Sequence, residues 1–301
     1  MDAFPLVWIV IPAWNRCEDL RLTLQSVQAL AYANYQVLVV DNGSTDETLT
    51  MLEAEFPWAR VLPLGENRGA SGASNAGFAH ALTNGAVYVL RLDSDVKLAP
   101  DFLRELVKVA ETRPQVGCLT GKIYYLADPH RIWSTGAQQK RWDLGGVDLG
   151  RGQLDGPAHN QERQIDYAWS TGMLLTREAL VITGGFDPAF FVYYEEPDLC
   201  LRLRQAGLQV WFVPSAHMWH KIGQASRSAW VAYQWNRSKM IFLRKHSRGM
   251  HRLLLLFYAY AYALGRSLVP GQGAGNRGPV AAAVSGLTAG LRYRLRNNRP
   301  N

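Results

Sequence analysis

The stretch Leu90-Arg91-Leu92-Asp93-Ser94-Asp95-Val96 identifies the edge of the fold at which a ligand would bind. The apolar run before it, Val87 to Leu92, predicts a buried strand that stops at two carboxylates, which a strand interior would not accept without partners. Open α/β sheets bind ligands beyond the carboxyl ends of their strands, and paired carboxylates there suit a hard divalent cation that also binds a phosphate. A polar turn before the next helix is the alternative interpretation.

Strands and amphipathic helices alternate upstream of this stretch, with short loops between them. Strands are predicted at Val7 to Ile11, Gln36 to Val40 and Val61 to Leu64. The capping-box sequence Ser44-Thr45-Asp46-Glu47 predicts the start of the second helix. This alternation predicts an α/β fold with a mainly parallel, Rossmann-like sheet that is flanked by helices and connected by right-handed crossovers.

The second half of the chain is less regular. A Gly-, Gln-, Asp- and Arg-rich pattern from Asp128 to Arg163 predicts a long insertion, which would act as a lid or binding loop or else be mobile. Ile165 to Thr176 predicts one strand that is interrupted by a glycine. Beyond it, Pro197 is placed as the first residue of a helix and Gly207 as the residue past its end. A further strand is predicted from Gln209 to Val213.

Two more segments carry residues that suit a ligand. In the small-residue segment Glu66 to Gly77, glycines let the backbone approach a ligand, and the helix that follows offers its N-terminus to an anion. Tight packing of that helix on the sheet is the alternative. Glu195 and Glu196 lie at the start of a predicted helix, behind an aromatic run. Complementing the helix dipole is worth about 0.3–1 kcal/mol, but two adjacent acidic residues exceed what a cap requires.

Composition predicts an ordinary globular protein. With 301 residues, 48% of them hydrophobic, the chain can form one large or two small domains with a substantial core. Cys17, Cys118 and Cys200 are an odd number without a C-x-x-C pair, which predicts neither a disulfide framework nor a zinc site. Because residues 1–11 lack the pattern of a secretory signal, we expect a cytoplasmic location.

Charge is divided unequally along the chain. All 25 acidic residues lie at or before Asp198, whereas residues 201–301 carry 16 Lys and Arg. Such a surplus predicts an anionic partner, either lipid headgroups or nucleic acid. No recognised nucleic-acid-binding module accompanies the charge, so nucleic acid is disfavoured and an anionic membrane surface is the prediction.

The C-terminal segment predicts a basic, amphipathic helical tail. Leu253 to Gly265 is uncharged and shorter than the roughly 20 residues needed to cross a bilayer. It predicts a helix in the plane of the lipid headgroups, with packing against the preceding domain as the alternative. Pro270 to Pro279 predicts a hinge or disordered loop. The basic residues near the end are Arg292, Arg294, Arg296 and Arg299.

Short segments over roughly residues 6–245 match one family in their order and spacing. They are Pro12-Ala13-Trp14-Asn15-Arg16, Val39 to Asp46, Asn67-Arg68-Gly69 with Asn75-Ala76-Gly77, Asp93-Ser94-Asp95, Thr171 to Leu175, the segment from Gly185-Phe186-Asp187 through Asp198-Leu199-Cys200, and His220-Lys221. Together they resemble the inverting glycosyltransferases of family 2, which have the GT-A fold, and in particular their bacterial rhamnosyltransferase-like branch.

The resemblance implies a site for a nucleotide-sugar donor. The implied nucleotide-binding residues are Pro12, Asn15, Arg16, Asp41, Asn67, Gly69 and Asp93. The Asp41 carboxylate would accept a hydrogen bond from the imide of the base. A Mg²⁺ or Mn²⁺ ion would bridge the diphosphate, with Asp95, Asp93 and His220 as its ligands. For His220, a structural histidine packed beside Trp219 is the alternative.

The resemblance also implies catalytic and acceptor residues. Glu196 matches the position of the catalytic base, but the usual pair is Glu-Asp and here it is Glu195-Glu196. Because glutamate is longer by a methylene, Glu195 is the second candidate for the base. The implied sugar and acceptor residues are Trp169, Thr171, Gly172 and Asp198. Packing in the core is the alternative for Trp169, and capping or bracing the helix is the alternative for Asp198.

We therefore expect metal-dependent, inverting transfer of a sugar from a nucleotide diphosphate, such as dTDP-rhamnose or a UDP-sugar, to a hydroxyl group of a cell-envelope glycan or lipid-linked acceptor. A catalytically inactive nucleotide-sugar-binding or scaffold protein of the same fold is the alternative. The expected GT-A catalytic domain covers residues 1–240, with a nucleotide-binding half at 1–96 and an acceptor-binding half at 97–240. The tail at 241–301 would hold the protein at the inner face of the cytoplasmic membrane.

Overall fold

A computed structural model describes residues 4–140, 142, 144–222, 228–265 and 277–295. Strands and helices alternate through the first part of the chain, as the sequence predicts. The elements of this part are β1 (Val7–Ala13), α1 (Cys17–Gln28), β2 (Tyr35–Asp41), α2 (Thr48–Glu55), β3 (Arg60–Pro63), α3 (Gly69–Thr83), β4 (Tyr88–Leu92), β5 (Val96–Leu98) and α4 (Phe102–Glu111).

Within its described residues, the following part contains seven strands, of which β6 and β12 are the longest, and two α-helices. Its strands are β6 (Val116–Tyr125), β7 (Ile132–Ser134), β8 (Ala137–Gln139), β9 (Gly146–Asp148), β10 (Arg163–Ile165), β11 (Gly172–Thr176) and β12 (Gln209–His220). Its helices are α5 (Arg177–Thr183) and α6 (Glu195–Gln205). Strand β12 is much longer than the predicted strand over 209–213, because its second half pairs with both β5 and β6.

A large sheet connects both parts in the order β10-β12-β6-β11-β4-β1-β2-β3. The pairs β4–β1, β1–β2 and β2–β3 are parallel, whereas β11 lies antiparallel between β4 and β6. The predicted α/β fold with a Rossmann-like first half is thus confirmed. Adjacent residues of β1 enter different core clusters, Ile9 and Ile11 in one and Trp8 and Val10 in the other. Burial on both faces explains why these strands are continuous apolar runs in the sequence.

The insertion predicted at residues 128–163 contains ordered secondary structure. Strand β7 pairs with β6, and β8 pairs with β9 to form a separate hairpin. The fully buried Lys122 on β6 donates to Asp155 at 2.7 Å and to Asn160 at 2.6 Å, which fixes the insertion to the sheet. A buried charge is costly unless it is paired, so this contact holds the segment in one place.

Three local predictions were wrong. The second helix begins at Thr48, and Asp46 rather than Ser44 accepts a hydrogen bond from a backbone amide of its first turn. The predicted strand over 165–176 is two strands, because β10 pairs with β12 while β11 pairs with β4 and β6. The helix expected to begin at Pro197 begins two residues earlier, at Glu195.

Three helices follow the sheet: α7 (Ala229–His246), α8 (Gly249–Gly265) and α9 (Arg277–Arg292). The boundary expected at residue 240 falls inside α7. The inward side chains of these helices form a core with Phe190, and they include Ile241, Leu255 and Leu287. Among the residues described, none of the helices combines the length and the apolar character that a bilayer crossing requires. Most of the hinge predicted at 270–279, together with Arg296 and Arg299, lies outside the described residues.

Candidate active site

Asp93, Asp95 and His220 meet at one edge of the sheet. The antiparallel pairing of β12 with β5 aligns His220 with Val96, the residue after Asp95. His220 Nε2 lies 3.1 Å from Asp95 Oδ1 and 3.9 Å from Asp93 Oδ2. One ligand atom from each residue lies within 4.8 Å of the others. Two carboxylates and an imidazole in this arrangement fit a divalent cation, and they are the three residues predicted as its ligands.

Arg91 lies directly beneath this cluster, on β4. Its guanidinium, whose side chain is 5% exposed, forms an ion pair with the Asp93 carboxylate. It also donates to the carbonyl oxygen of Ser170 at 2.8 Å. Burial alone would raise the pKa of Asp93, but the charges of Arg91 and His220 hold that pKa below its usual value. Asp93 is therefore held as an anion at neutral pH.

The electrostatics of His220 are set by the same carboxylates. Burial alone would lower its pKa, but the hydrogen bond to Asp95 and the charge of Asp93 raise that pKa above its usual value. The ring also packs edge-on against Trp133, with centroids 5.1 Å apart. His220 thus combines a packed ring with a nitrogen directed at the two carboxylates.

A cavity of about 660 Å³ lies on one side of the acidic cluster. Pro12, Asn67 and Gly69, which are three of the residues predicted to bind the nucleotide, line this cavity, and Arg91 forms part of its wall. The backbone at Gly69 has φ +73°, and a Cβ there would overlap the carbonyl oxygen of Phe191. Only glycine fits this position without strain, because L residues rarely adopt the left-handed region.

The other predicted nucleotide residues form the loops beside this cavity. Asp41 is 2% exposed, and its carboxylate accepts from the Ser44 amide at 3.2 Å. Asn15 has φ +52°, and its side-chain oxygen accepts from the Thr45 amide at 2.7 Å. Arg16 extends outward and pairs with Asp19 at 3.2 Å. Asp41 and Asn15 thus fix the two loops that follow β1 and β2.

Asn42 is a residue of this site that the sequence did not indicate. Its amide nitrogen donates to Asn67 Oδ1 at 3.0 Å, and its oxygen accepts from the Arg68 amide at 2.8 Å. These bonds hold the segment between β3 and α3 against the end of β2. Asn67 Oδ1 in turn accepts from the Gly69 amide at 2.9 Å. This oxygen therefore stabilises the loop between β3 and α3.

A second cavity, of about 670 Å³, opens at the start of α6. Glu196 lies on its wall, whereas Glu195 is 3% exposed and points into the protein. Glu196 Oε1 accepts from the Ser170 hydroxyl at 2.7 Å. Within the described residues, Glu195 Oε2 has no hydrogen-bond partner. The two adjacent carboxyl groups therefore have different surroundings.

The pKa values of both glutamates are raised. Burial raises the pKa of Glu195 well above its usual range, and the charge of Glu196 adds to the effect. Burial also raises the pKa of Glu196, but the hydrogen bond from Ser170 and the charge of Arg91 oppose that shift. The hydrogen bond from Ser170 thus favours the ionised form of Glu196, whereas Oε2 of Glu195 has no such donor within the described residues.

The backbone immediately before these glutamates is strained. Tyr193 and Tyr194 have φ +68° and +69°, values that bulky L residues rarely adopt. Both side chains line the cavity that contains Glu196. Tyr194 is held by Phe242 and Trp235 of α7, with ring centroids 5.3 Å away in each case. Strain of this kind persists where surrounding packing enforces it, and it concentrates at functional sites.

Of the residues predicted to bind the sugar or the acceptor, Trp169 lines the second cavity, whereas Thr171 and Gly172 lie behind the acidic cluster. Trp169 lines the cavity, and its indole donates to Asp148 at 2.8 Å. Thr171 is 4% exposed, and its carbonyl oxygen accepts from the Asp93 amide at 3.2 Å. Gly172 pairs with Leu92 inside the sheet, where a Cβ would overlap Met218. Thr171 and Gly172 thus support the end of β4, where Asp93 lies, from the neighbouring strand β11 and the residue before it.

Asp198 does not have the surroundings of an acceptor-binding residue. It is fully buried and binds Arg202 at 2.8 Å, Lys245 at 2.7 Å and His246 at 2.7 Å. This is the bracing role that was the alternative for Asp198. A buried carboxylate that is surrounded by three basic groups already has its hydrogen-bond partners, so Asp198 is not available to bind an acceptor.

The sequence profile described as "Glycosyl transferase family 2" matches residues 8–180, which is more than half of the chain. The chain belongs to glycosyltransferase family 2. This glycosyltransferase is 31% identical over 275 residues to the N-acetylglucosaminyl-diphospho-decaprenol L-rhamnosyltransferase of Mycobacterium tuberculosis, covering 83% of this chain and 87% of that protein. It is 24% identical over 224 residues to the dTDP-rhamnosyl transferase RfbF of Shigella flexneri, covering 73% and 70%. The predicted rhamnosyltransferase-like branch is confirmed.

Other similar proteins are longer than this glycosyltransferase. It is 32% identical over 234 residues to an uncharacterised protein of Sinorhizobium fredii, covering 73% of this chain but 25% of that protein. Among solved structures, GalNAc-T7 with UDP, GalNAc and Mn²⁺ has a TM-score of 0.69 at 15% identity, covering 94% of this chain and 55% of that one. The Pyrobaculum calidifontis mannosyltransferase PcManGT with GDP-Man and Mn²⁺ has a TM-score of 0.58 at 17% identity, covering 96% and 88%. These likenesses confirm the GT-A fold.

Several site residues of the glycosyltransferase were not predicted from its sequence. Arg91 had a visible signal, because a charged residue inside an apolar strand must have a partner. Ser170 had none, since its role depends on the fold bringing it to Glu196. The same holds for Trp235 and Tyr258, which line the second cavity from α7 and α8.

Proposed function

We propose that this family 2 glycosyltransferase transfers a sugar, with inversion at the anomeric carbon, from a nucleotide diphosphate to a hydroxyl group of a cell-envelope glycan or lipid-linked acceptor. The names of the M. tuberculosis and S. flexneri relatives support a rhamnosyl donor such as dTDP-rhamnose. A UDP-sugar is the other donor class that the proposal includes.

The observation that carries this proposal is the position of Arg91 between the two cavities. It lines the cavity of Asn67 and Gly69 and pairs with Asp93. Its charge also acts on Glu196, the carboxylate of the second cavity. Arg91 also donates to the carbonyl oxygen of Ser170, whose hydroxyl donates to Glu196, so this short chain of contacts connects the first cavity with the proposed base. Such an arrangement allows one base to serve a hydroxyl that attacks the donor directly, and a single displacement inverts the anomeric centre.

In the proposed mechanism, Asp95, Asp93 and His220 would hold a Mg²⁺ or Mn²⁺ ion. When bound, such an ion neutralises the negative charge that accumulates on the leaving nucleoside diphosphate. The solved structures of similar fold that contain Mn²⁺ support this choice. Arg91 keeps Asp93 ionised for that purpose, and Pro12, Asn67 and Gly69 position the nucleotide.

Glu196 is the proposed base, and it takes the proton of the acceptor hydroxyl as the new bond forms. Ser170 orients it and favours its ionised form. Glu195 stays protonated behind it, so the second carboxyl adds no second negative charge to the site. The Glu-Glu pair therefore suits catalysis even though the resemblance implied Glu-Asp.

The proposal places the protein at the inner face of the cytoplasmic membrane. The 16 Lys and Arg after residue 200, without an acidic residue among them, support attraction to anionic lipid. Sedimentation with phosphatidylglycerol vesicles should decrease as salt is raised, because exposed charges are screened within about a Debye length. Equal sedimentation with neutral phosphatidylcholine vesicles would contradict this location.

Donor hydrolysis tests the enzymatic proposal without knowledge of the acceptor. Purified protein with Mn²⁺ and a panel of dTDP- and UDP-sugars should release nucleoside diphosphate slowly, and Asp95→Asn should reduce that release by about 100-fold or more, because the charge of the leaving group is then poorly stabilised. Asp101→Asn, an exposed aspartate paired with Arg104, is the matched control and should retain the rate. A wild-type protein that binds nucleotides but is inert toward all donors and acceptors would favour the scaffold alternative.

A further inference from the structure

Helix α7 contributes to both cavities of the site. Trp230 and Gln234 line the first cavity, which is the proposed donor site and is called the donor cavity from here on. Trp235 and Lys239 line the second cavity. None of the residues predicted to bind the nucleotide lies on this helix. The donor cavity therefore has a wall that the sequence motifs did not indicate.

Helix α7 is fixed against the segment that precedes the two glutamates. The Ser238 hydroxyl donates to the carbonyl oxygen of Val192 at 2.8 Å. The Trp230 ring packs edge-on against Phe191, with ring centroids 6.4 Å apart. Phe191 and Val192 also line the donor cavity. Helix α7 and this segment therefore form one connected wall.

Gln234 has an unpaired acceptor in this wall. It lies one helical turn after Trp230, on the same face of α7. Its side-chain oxygen, Oε1, is buried and has no hydrogen-bond partner within the described residues. Buried polar atoms are normally paired, because an unpaired one has lost its hydrogen bonds to water and gained none. We therefore expect a group that fills the cavity to donate a hydrogen bond to Oε1.

The chemistry of an amide oxygen limits what that group can be. Oε1 can only accept, so its partner must carry a hydrogen on oxygen or nitrogen. The oxygens of an ionised diphosphate carry none, so the diphosphate of a donor is excluded as the partner. The remaining candidates in a nucleotide sugar are the hydroxyl groups of its two sugars and the N–H group of its base.

The position of the wall selects the transferred sugar among these candidates. Val192 lies four residues before Glu196, the proposed base. In a direct displacement the anomeric carbon lies between the leaving diphosphate and the attacking hydroxyl, so the transferred sugar has to lie close to that base. The nucleoside is at the other end of the donor, and most residues predicted to bind it lie around the ends of β1 and β2 and the start of α3.

We propose that Gln234 is a specificity-determining residue for the donor, and that its Oε1 accepts a hydrogen bond from a hydroxyl group of the transferred sugar. The inference rests on the proposed function, in which the donor cavity binds a nucleotide sugar. It extends that function by assigning recognition of the sugar, as distinct from the nucleotide, to a residue of α7. A donor without that hydroxyl leaves Oε1 unpaired, and sites built on such a hydrogen bond discriminate against analogues that lack it.

Isothermal titration calorimetry with a nucleotide and its sugar conjugate separates this role from a general one. The pairs are dTDP with dTDP-rhamnose and UDP with UDP-glucose, titrated with Mg²⁺ and without an acceptor. For the pair that binds the wild type more tightly, Gln234→Met should weaken the nucleotide sugar about tenfold, which corresponds to about 1.4 kcal/mol. Its affinity for the free nucleotide should change by no more than about twofold, since that ligand has no transferred sugar. Retained nucleotide binding also shows that the variant is folded.

A control variant and a set of donor analogues sharpen the test. Gln28→Met makes the same chemical change at an exposed position of α1, and it should bind both ligands as the wild type does. Analogues of the bound donor that each lack one hydroxyl group of the transferred sugar identify the partner of Oε1. One of them should bind the wild type about tenfold more weakly than the donor does, whereas Gln234→Met should bind that analogue and the donor equally.

Equal weakening of the nucleotide and the nucleotide sugar in Gln234→Met would overturn the proposal, because Gln234 would then act on the nucleotide or on the fold. So would deoxy analogues that the variant and the wild type discriminate alike. Donor hydrolysis, measured in parallel on the wild type, distinguishes the two levels. If donors are hydrolysed but Gln234→Met keeps the wild-type affinity for them, the inference about Gln234 alone fails. If Gln234 discriminates as expected but no donor is hydrolysed or transferred, the proposed activity fails and the recognition of the sugar remains.

Discussion

The hydroxyl group of Ser170 donates a hydrogen bond to Glu196 Oε1 at 2.7 Å. The carbonyl oxygen of the same serine accepts from the Arg91 guanidinium at 2.8 Å. Ser170 therefore connects the carboxylate of the second cavity with the cation that pairs with Asp93. It lies in the segment between β10 and β11, so this segment, rather than either strand, aligns the two halves of the site.

Replacement of Ser170 by alanine should shift the pH dependence of transfer. The hydrogen bond favours ionised Glu196, so its loss raises the pKa of Glu196 further. Because the proposed base must be ionised, kcat/KM should fall at a higher pH in Ser170→Ala than in the wild type, with a smaller difference under alkaline conditions. A pH profile of kcat/KM measures this shift. Superimposable acidic limbs would contradict the role of Ser170.

The two glutamates should respond differently to removal of their charge. Glu196→Gln should reduce the rate of transfer about 10²–10⁴-fold, which is the usual contribution of a general base. Glu195→Gln should keep the rate within a few-fold, because burial raises the pKa of Glu195 and the proposed mechanism gives Glu195 no part in the proton transfer. Steady-state kinetics of both variants with one donor measure the contrast. The reverse order of effects would make Glu195 the base.

Local sequence patterns predicted the parts of the fold and site that depend on neighbouring residues. The alternation of strands and helices, and the two carboxylates after Leu92, are properties of short segments. The contact between His220 and Asp95 joins residues 125 positions apart, and the pairing of β12 with β5 creates it. The family resemblance suggested this contact, whereas periodicity could not.

Other features arise from long-range packing and had no local signal. The cavity wall formed by Tyr258 depends on how α8 lies against the rest of the protein. The sequence of α8 is the same whether its apolar face meets lipid, the domain or a ligand. The partners of Asp198 could not be predicted from local sequence either. Two of its three basic partners lie on α7, about 50 residues further along the chain.

Arg91 should be needed for stability as well as activity. Arg91→Met leaves the partly buried Asp93 carboxylate without the Arg91 cation, so we expect the free energy of unfolding to fall by about 3 kcal/mol and donor turnover to fall with it. Arg104→Met, which breaks an exposed pair with Asp101, should cost no more than about 1 kcal/mol. Urea unfolding at neutral pH compares the two variants. Equal losses would show that the Arg91–Asp93 pair contributes no more to stability than an exposed pair.

Asp198 should couple the helix of the base to the C-terminal helices. It lies on α6, two residues after Glu196, and binds Lys245 and His246 of α7. Burial alone would raise its pKa, but the hydrogen bond from His246 and the charges of Arg202 and Lys245 hold that pKa far below its usual value. A carboxyl whose pKa is lowered by folding stabilises the protein above its unfolded-state pKa, and this contribution is lost as the pH falls toward the lowered value.

Asp198→Asn should therefore reduce the free energy of unfolding by about 3–5 kcal/mol at pH 7, where the wild-type carboxylate is fully ionised. The difference between variant and wild type should shrink as the pH falls below about 4, the usual range of an unfolded carboxyl group, because the wild type then progressively loses the same stabilisation. Urea unfolding of both proteins at pH 7 and at pH 3 measures this convergence. A difference that stays constant between the two pH values would mean that packing, rather than the charge of Asp198, joins α6 to α7.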